Sequence, residues 1–86
     1  MKQLPELPAI FGEIIAEARG KAGLSQEQVA AAIGASNVFI SLLETGKRQP
    51  SLTSAILLAW CLGLSPEELV RRVVLQLGAA KVLQKH

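Results

Sequence analysis

The sequence is poor in the side chains on which catalytic and metal sites depend. Its 86 residues contain one cysteine, Cys61, and one histidine, His86, which is the last residue. A single thiol excludes an internal disulfide, and no residues have the spacing of a zinc site. No serine stands beside a base, and there is no glycine-rich loop of the kind that holds phosphates. We therefore predict that the chain is not an enzyme and uses neither a metal nor a cofactor.

The sequence predicts neither a membrane-spanning segment nor a secretory leader. The longest strongly apolar run covers residues 55–62, whereas a helix needs about 20 apolar residues to cross a bilayer. Pro5 and Pro8 interrupt the N-terminus, and no long apolar core follows a basic start. With its lone thiol, the sequence favours a reduced, cytoplasmic location and no membrane partner.

Hydrophobic residues are what the sequence has in excess. They make up 50% of the chain, and the mean hydropathy is +0.36. Because a domain of this size buries only a modest part of its surface, this composition indicates that some apolar surface contacts a partner. The net charge of +2 permits binding to nucleic acid without arguing for it.

Helix-start and helix-stop residues predict five helices and no strand. The first helix begins at Pro8, because proline suits an early helical position, and it ends near Lys21. Ser51 caps the fourth helix, which ends at Gly63. The inward face of the fourth helix is predicted to be Leu52, Ala55, Ile56, Ala59 and Leu62.

The start of the fifth helix has the strongest local signal. Ser65 offers a cap, Pro66 takes the first helical position, and Glu68 completes the pattern of a capping box. The helix then continues to about Leu77 and ends at Gly78. The chain is predicted to divide into a lead-in at 1–8, a folded domain at 9–78 and a short tail at 79–86.

The most informative stretch lies between the first and fourth helices. Ser25 and Gln28 form the pattern of a capping box at the start of a second helix, and Gly34 ends that helix. Ser36 then caps a third helix. The inward residues of the two helices are Val29, Ala30 and Ile33, followed by Ile40 and Leu43. Two short helices joined by a tight turn form a helix-turn-helix, a motif that lays its second helix in the major groove of DNA.

From Phe11 to about Val70 the chain resembles the phage-repressor and Cro-like helix-turn-helix family. The matching residues run beyond the motif and include Phe11-Gly12, Ala18-Arg19, residues 23–26, Gly46-Lys47-Arg48 and residues 62–65. The resemblance covers about two-thirds of the chain. It implies an all-α, compact, five-helix lambda-repressor-like DNA-binding domain with the helix-turn-helix at helices 2 and 3.

The resemblance also implies which side chains contact DNA. Asn37 faces base edges, and its amide suits a paired contact with adenine. Gln26 holds a phosphate at the start of the second helix. Ser36 and Ser41 reach a phosphate or a base, although Ser36 serves first as a cap. The loop after the third helix runs along the sugar-phosphate backbone with Thr45, Lys47, Arg48 and Gln49.

A partly buried ion pair is the structural feature that the resemblance implies. Arg19 of the first helix and Glu44 at the end of the third are its two members. The pair would fix the angle of the recognition helix and would not touch DNA. Removing one partner of such a pair leaves the other charge unpaired, which is costly when burial is complete.

Three positions on the third helix are apolar where the family usually has polar or basic residues. Val38 and Leu42 could pack on thymine methyl groups, which would select a site rich in A·T pairs. Phe39 could wedge against a sugar or the backbone. Alternatively, this surface binds a protein and keeps little affinity for DNA, or its apolar residues are merely tolerated.

The fourth and fifth helices carry apolar residues that favour self-association. Leu57 and Trp60 lie one helical turn apart on the usual solvent side of the fourth helix. The fifth helix adds a stripe at helical spacing, formed by Val70, Val73, Val74 and Leu77. A symmetric homodimer built on these residues would double the DNA contacts on half-sites about one DNA turn apart. The alternative is that the stripe completes the core of the monomer.

Two functional hypotheses follow. In the first, the chain is a transcriptional repressor that binds a near-palindromic double-stranded DNA site as a homodimer, with residues 36–45 in the major groove. In the second, it is a protein-interaction module such as an antitoxin or an adaptor, and uses the apolar surface of helix 3 or of helices 4 and 5. Neither hypothesis implies a small-molecule ligand.

Overall fold

Five α-helices follow one another along residues 3–78, the part of the chain that this computed structural model describes. They are α1 (Leu7–Ala22), α2 (Gln26–Ile33), α3 (Asn37–Glu44), α4 (Leu52–Cys61) and α5 (Pro66–Leu77). No strand occurs within these residues. The prediction of an all-α fold with five helices is confirmed. The predicted tail at 79–86 lies outside the described residues.

The turn between α2 and α3 forms as its local chemistry requires. Ser25 Oγ accepts a hydrogen bond from the backbone N–H of Gln28 at 3.0 Å, and the backbone N–H of Ser25 donates to Gln28 Oε1 at 2.8 Å. Gly34 then ends α2 with φ at +72°, where a side chain would be strained. The predicted limits of α2 are therefore confirmed.

The starts of α4 and α5 differ from the prediction in one respect. Ser65 Oγ accepts a hydrogen bond from the N–H of Glu68, but Glu68 does not complete a capping box. Its carboxylate instead accepts a bond from Arg72 Nε at 3.0 Å, one turn further along α5. A complete capping box that was not predicted lies at α4, where Ser51 and Ser54 bond reciprocally as Ser25 and Gln28 do at α2.

The core lies between all five helices, because α1 packs on α3 and α5, and α2 packs on α3 and α4. Its buried apolar residues are Phe11, Ile14, Ile15, Ala18, Val29, Ala30, Ile40, Leu43, Leu58, Ala59, Leu62, Leu69 and Val73. The predicted inward residues of α2 and α3 are among them, apart from the half-buried Ile33. The two helices of the helix-turn-helix thus pack on the rest of the fold, α2 on α4 and α3 on α1.

The predicted inward face of α4 is partly wrong. Leu52 is 73% exposed, whereas Leu58, which the prediction omitted, is fully buried. Almost every residue of α4 is apolar, so apolar spacing could not distinguish its inward face from its outward one. The buried face instead follows Ser54, Leu58 and Leu62 at intervals of one turn.

Two kinds of feature are absent from the described residues. No helix within 3–78 is both long enough and apolar enough to cross a membrane by itself. Helices α4 and α5 meet these criteria only when they are taken together, and they are bent by 111° at the break between them. No group of three or more His, Cys, Asp or Glu side chains could hold a metal ion in this part of the chain.

Candidate nucleic-acid interface

Burial of one side of α3 determines which residues it presents to solvent. Ile40 and Leu43 are fully buried, so the opposite side of the helix faces outward. Val38 is 66% exposed there, and Asn37 is exposed at the first position of the helix. The other predicted contacts on this helix are half-buried, namely Phe39, Ser41 and Leu42. The first turn of α3 therefore offers one amide and one apolar side chain to a ligand.

Two hydroxyl groups at the ends of α3 are already hydrogen-bonded. Ser36 Oγ accepts from the backbone N–H of Phe39 at 3.1 Å, so Ser36 caps the helix and its hydroxyl hydrogen is not used by that bond. Thr45 Oγ1 donates to the carbonyl of Ser41 at 2.8 Å. Because a hydroxyl has one hydrogen, Thr45 can donate to a phosphate only if that bond breaks.

The structure brings Arg19 and Glu44 together. Arg19 Nε and Nη2 donate to the two carboxylate oxygens of Glu44, at 2.6 Å and 3.0 Å. Arg19 Nη1 also donates to the carbonyl of Leu24 at 2.9 Å, just before α2. The Glu44 side chain is only 7% exposed and that of Arg19 is 22% exposed. The pair therefore links α1, the entry to α2 and the end of α3.

The environment of Glu44 keeps its carboxylate charged. Burial favours the neutral acid, but the hydrogen bonds from Arg19 and Gln26, with the charge of Arg19, outweigh it and hold the pKa of Glu44 below its ordinary value. The hydrogen bond to Glu44 likewise raises the pKa of Arg19, against the opposing effect of burial. Glu44 therefore stays ionised, and its negative charge is balanced by that of Arg19.

Gln26 has a second role that the sequence did not indicate. Its Nε2 donates to Glu44 Oε1 at 3.0 Å, which ties the start of α2 to the end of α3. The side-chain amide has two hydrogens, so one remains for the phosphate contact that the family resemblance implies. Only the fold reveals this link, because the two residues are 18 positions apart.

The loop after α3 presents positive charge. Lys47, Arg48 and Gln49 are all exposed. Within residues 3–78, neither Lys47 nor Arg48 takes part in an ion pair, because the pairs found there join Arg19, Lys21, Arg71 and Arg72 to Glu44, Glu17 and Glu68. The guanidinium of Arg48 lies 5.5 Å from the centre of the Phe39 ring. The loop thus presents two exposed cations that are unpaired within the described residues, and one of them, Arg48, lies over a side chain in the first turn of α3.

A sequence profile of the helix-turn-helix family matches residues 15–69, a stretch that includes α2, α3 and the loop. The chain belongs to the XRE-type helix-turn-helix family. It is 38% identical to an uncharacterized HTH-type transcriptional regulator, y4dJ, of Sinorhizobium fredii (strain NBRC 101917 / NGR234). The 65 aligned residues cover 76% of this chain and 84% of that protein. The general function of the chain is therefore DNA binding in the regulation of transcription.

A solved structure of this helix-turn-helix class has the same fold. The crystal structure of the restriction-modification controller protein C.AhdI from Aeromonas hydrophila superposes with a TM-score of 0.68 at 36% identity. The match covers 71% of this chain and 92% of that protein. This agreement confirms the resemblance and the fold that were expected from the sequence.

An apolar surface lies on the outer side of this helix-turn-helix domain. Leu52, Ile56 and Trp60 follow one another at intervals of four residues, so they form one ridge along α4. Leu52 and Ile56 line an open groove of about 550 Å³ together with Val70 and Val74 of α5. Trp60 is 65% exposed and Val70 is 50% exposed. We call these five residues the α4/α5 face.

The predicted dimer residues fall into three groups. Trp60, Val70 and Val74 are exposed, whereas Leu57 and Leu77 are half-buried. Val73 is only 7% exposed and belongs to the core, so its assignment to a dimer surface is wrong. One side of α5 must turn inward to bury Leu69, and Val73 lies one turn further along that side. The ridge residues Leu52 and Ile56 were predicted to face inward, although their spacing to Trp60 is visible in the sequence.

Proposed function

We propose that this protein is a transcriptional repressor that binds a near-palindromic operator as a homodimer. The α3 helix of each copy would enter one of two successive major grooves. The observation that carries the proposal is the exposed first turn of α3 together with two exposed cations of the following loop, Lys47 and Arg48, which form no ion pair within residues 3–78. Occupation of a promoter by such a dimer would block transcription.

Base recognition would come from the first turn of α3. Asn37 is exposed and can make a paired contact with adenine. Val38 is exposed, and with the half-buried Leu42 it offers an apolar surface that suits thymine methyl groups. Ser41 is half-buried on the same helix and can reach a base or a phosphate. These side chains favour an operator whose half-sites contain A·T pairs.

Backbone contacts would come from both ends of the motif. Lys47, Arg48 and Gln49 are exposed in the loop after α3. Gln26 keeps one amide hydrogen for a phosphate at the start of α2. Ser36 can donate its hydroxyl hydrogen. Each cation that neutralises a phosphate should steepen the dependence of affinity on salt by about one unit of log-log slope.

The α4/α5 face would hold the second copy. Large apolar side chains exposed to water are stabilised by burial against a partner, and a twofold axis allows one patch to cover its own copy. No residue of α3 lines the groove on this face, so dimerisation leaves the recognition helix free. Trp60 supplies the aromatic anchor that such interfaces favour.

One experiment tests this function directly. Labelled duplexes of randomised sequence are titrated with the protein at two salt concentrations, fluorescence anisotropy is recorded, and the bound fraction is sequenced. We expect a steep salt dependence and enrichment of a twofold-symmetric site. Weak binding without enrichment would contradict the proposal and would direct the search to protein partners.

A second candidate function is a protein-interaction module, such as an antitoxin or an adaptor. The observation that favours it is the 66% exposure of the apolar Val38 on the recognition helix, where polar residues are usual in the family. In this case a second chain should copurify with the protein and shield the fluorescence of Trp60. Loss of DNA affinity on substitution of Lys47 would favour the repressor instead.

A further inference from the structure

The side chains of Phe39 and Arg48 contact each other within the candidate interface. The guanidinium carbon of Arg48 lies 5.5 Å from the centre of the Phe39 ring, within the range of about 6 Å over which a cation is attracted to an aromatic face. Phe39 lies in the first turn of α3, whereas Arg48 lies in the loop beyond its end. The contact therefore joins the recognition helix to the loop.

The two side chains differ in how firmly they are held. Phe39 is half-buried and packs against the core, so its ring has a defined position. Arg48 is exposed, and within residues 3–78 it forms no ion pair. The ring thus supports a cation without neutralising its charge, which stays available to an anion.

We propose that Phe39 is a positioning residue that holds the Arg48 guanidinium in place for a DNA phosphate. This inference rests on the proposed function and differs from the expectation that Phe39 itself wedges against DNA. An arginine side chain has many rotamers, and restricting them before binding lowers the entropy cost of the complex. The planar guanidinium also presents its N–H donors in a geometry that matches phosphate oxygens.

The direct test is a double-mutant cycle measured as affinity for a short labelled duplex at low salt. Phe39→Leu removes the ring but keeps an apolar side chain against the core. We expect it to weaken binding about two- to fivefold, the change that an exposed cation–aromatic contact corresponds to. In an Arg48→Ala background the same substitution should have almost no further effect. Phe39→Tyr keeps the aromatic face and should bind like the wild type.

Lys47→Ala provides the matched control background. Lys47 is an exposed cation of the same loop but does not lie over the ring, so Phe39→Leu should lose the full two- to fivefold there. An equal loss in the Arg48→Ala background would show that the ring contacts DNA itself. The absence of any loss in the wild-type background would likewise overturn the proposal. Thermal unfolding of Phe39→Leu separates either result from a general loss of structure.

Failure of the proposed function has a different signature. If neither Lys47→Ala nor Arg48→Ala weakens binding, the loop does not contact phosphates, and both the repressor surface and this inference fall. If both weaken binding but Phe39→Leu is not coupled to Arg48, the repressor surface stands and only this inference is overturned. Ring-current shifts of the Arg48 side-chain protons, lost in Phe39→Leu, report the contact without DNA.

Discussion

Gly12 of α1 lies against the backbone of Leu43 at the end of α3. A Cβ atom added to Gly12 would collide with the carbonyl oxygen of Leu43 and would lie 2.6 Å from that of Glu44. Backbone atoms cannot move aside as a flexible side chain can. The absence of a side chain at Gly12 therefore allows α1 to pack directly on the backbone of α3. The ion pair between Arg19 and Glu44 links the same two helices.

Substitution of Gly12 by alanine should displace α3. Overpacking costs roughly 1–3 kcal/mol in the free energy of unfolding, and occasionally more, and because the obstructing atoms here are backbone atoms we expect a loss at the upper end of this range in urea denaturation. Gly20→Ala is the matched control in the same helix, because nothing lies within 4 Å of its added Cβ. That variant should be more stable by roughly 0.5–1 kcal/mol. Equal stability of the two variants would contradict the close packing of α1 on α3.

The pair of Arg19 and Glu44 should make stability depend on pH in the acid range. The folded-state pKa of Glu44 is lowered, so its contribution is present above the ordinary glutamate pKa of about 4.3 and is lost as the pH falls through the lower folded value. The free energy of unfolding, measured between neutral and acid pH, should therefore decrease as the pH falls below the ordinary glutamate pKa. This decrease should be smaller in Glu44→Gln, which has no carboxylate to protonate at this position.

The same variant should be less stable at neutral pH. Glu44→Gln leaves the largely buried Arg19 without a charged partner, which should cost about 1–3 kcal/mol. Glu17→Gln is the control, because the ion pair of Glu17 with Lys21 is exposed and long at 3.9 Å, and such pairs contribute roughly 0–1 kcal/mol. If the free energy of unfolding of Glu44→Gln decreases with falling pH as steeply as that of the wild type, this carboxylate does not control acid unfolding.

Helix limits were predictable because short-range chemistry decides them. Ser25, Ser36, Ser51 and Ser65 each cap the helix that follows, as expected. A cap depends on a hydroxyl and a backbone N–H three residues apart, so a sequence shows it without knowledge of the fold. The family resemblance extended this local information to the arrangement of the five helices.

Features that depend on long-range packing were not predictable in the same way. The inward face of α4 was misassigned at Leu52 because the helix itself carries apolar residues on all sides. The contact of Phe39 with Arg48 and the bond from Gln26 to Glu44 join separate elements. Only the packed structure brings these partners together, and it adds one contact to each of Phe39 and Gln26 that the sequence did not indicate.

Base reading and backbone binding should respond to different substitutions. Asn37→Ala should relax the sequence preference at one position of each half-site, since a paired contact with adenine contributes about 1–3 kcal/mol of discrimination. Affinity for unrelated sequences should change little. Sequencing of the bound fraction from a randomised pool measures this preference, and an unchanged set of sequences would rule out Asn37 as a base contact.

Lys47→Ala should instead weaken binding to all sequences about equally. Loss of one phosphate contact should reduce the slope of log affinity against log salt by about one unit. Lys21→Ala removes the same charge from α1, where Lys21 pairs with Glu17, and should leave the slope unchanged. Titrations at several salt concentrations compare the variants, and identical slopes for both would place the loop away from DNA.

Disruption of the α4/α5 face should convert the proposed homodimer to a monomer. Trp60 is 65% exposed, so Trp60→Glu places a charge in the proposed interface without disturbing the core. Loss of an aromatic anchor typically costs at least about 2 kcal/mol of association, a rise of at least about 30-fold in the dimer dissociation constant. Sedimentation equilibrium measures this constant, and thermal unfolding checks that the fold is intact.

The control for Trp60→Glu is Ala32→Glu, which adds the same charge at an exposed position of α2. It should leave the dimer dissociation constant unchanged, because α2 contributes no residue to the α4/α5 face. Val70→Glu should reproduce the effect of Trp60→Glu from the other helix of that face. If both of these variants sediment like the wild type, the second copy does not bind there, and the apolar ridge on α4 must have a different partner.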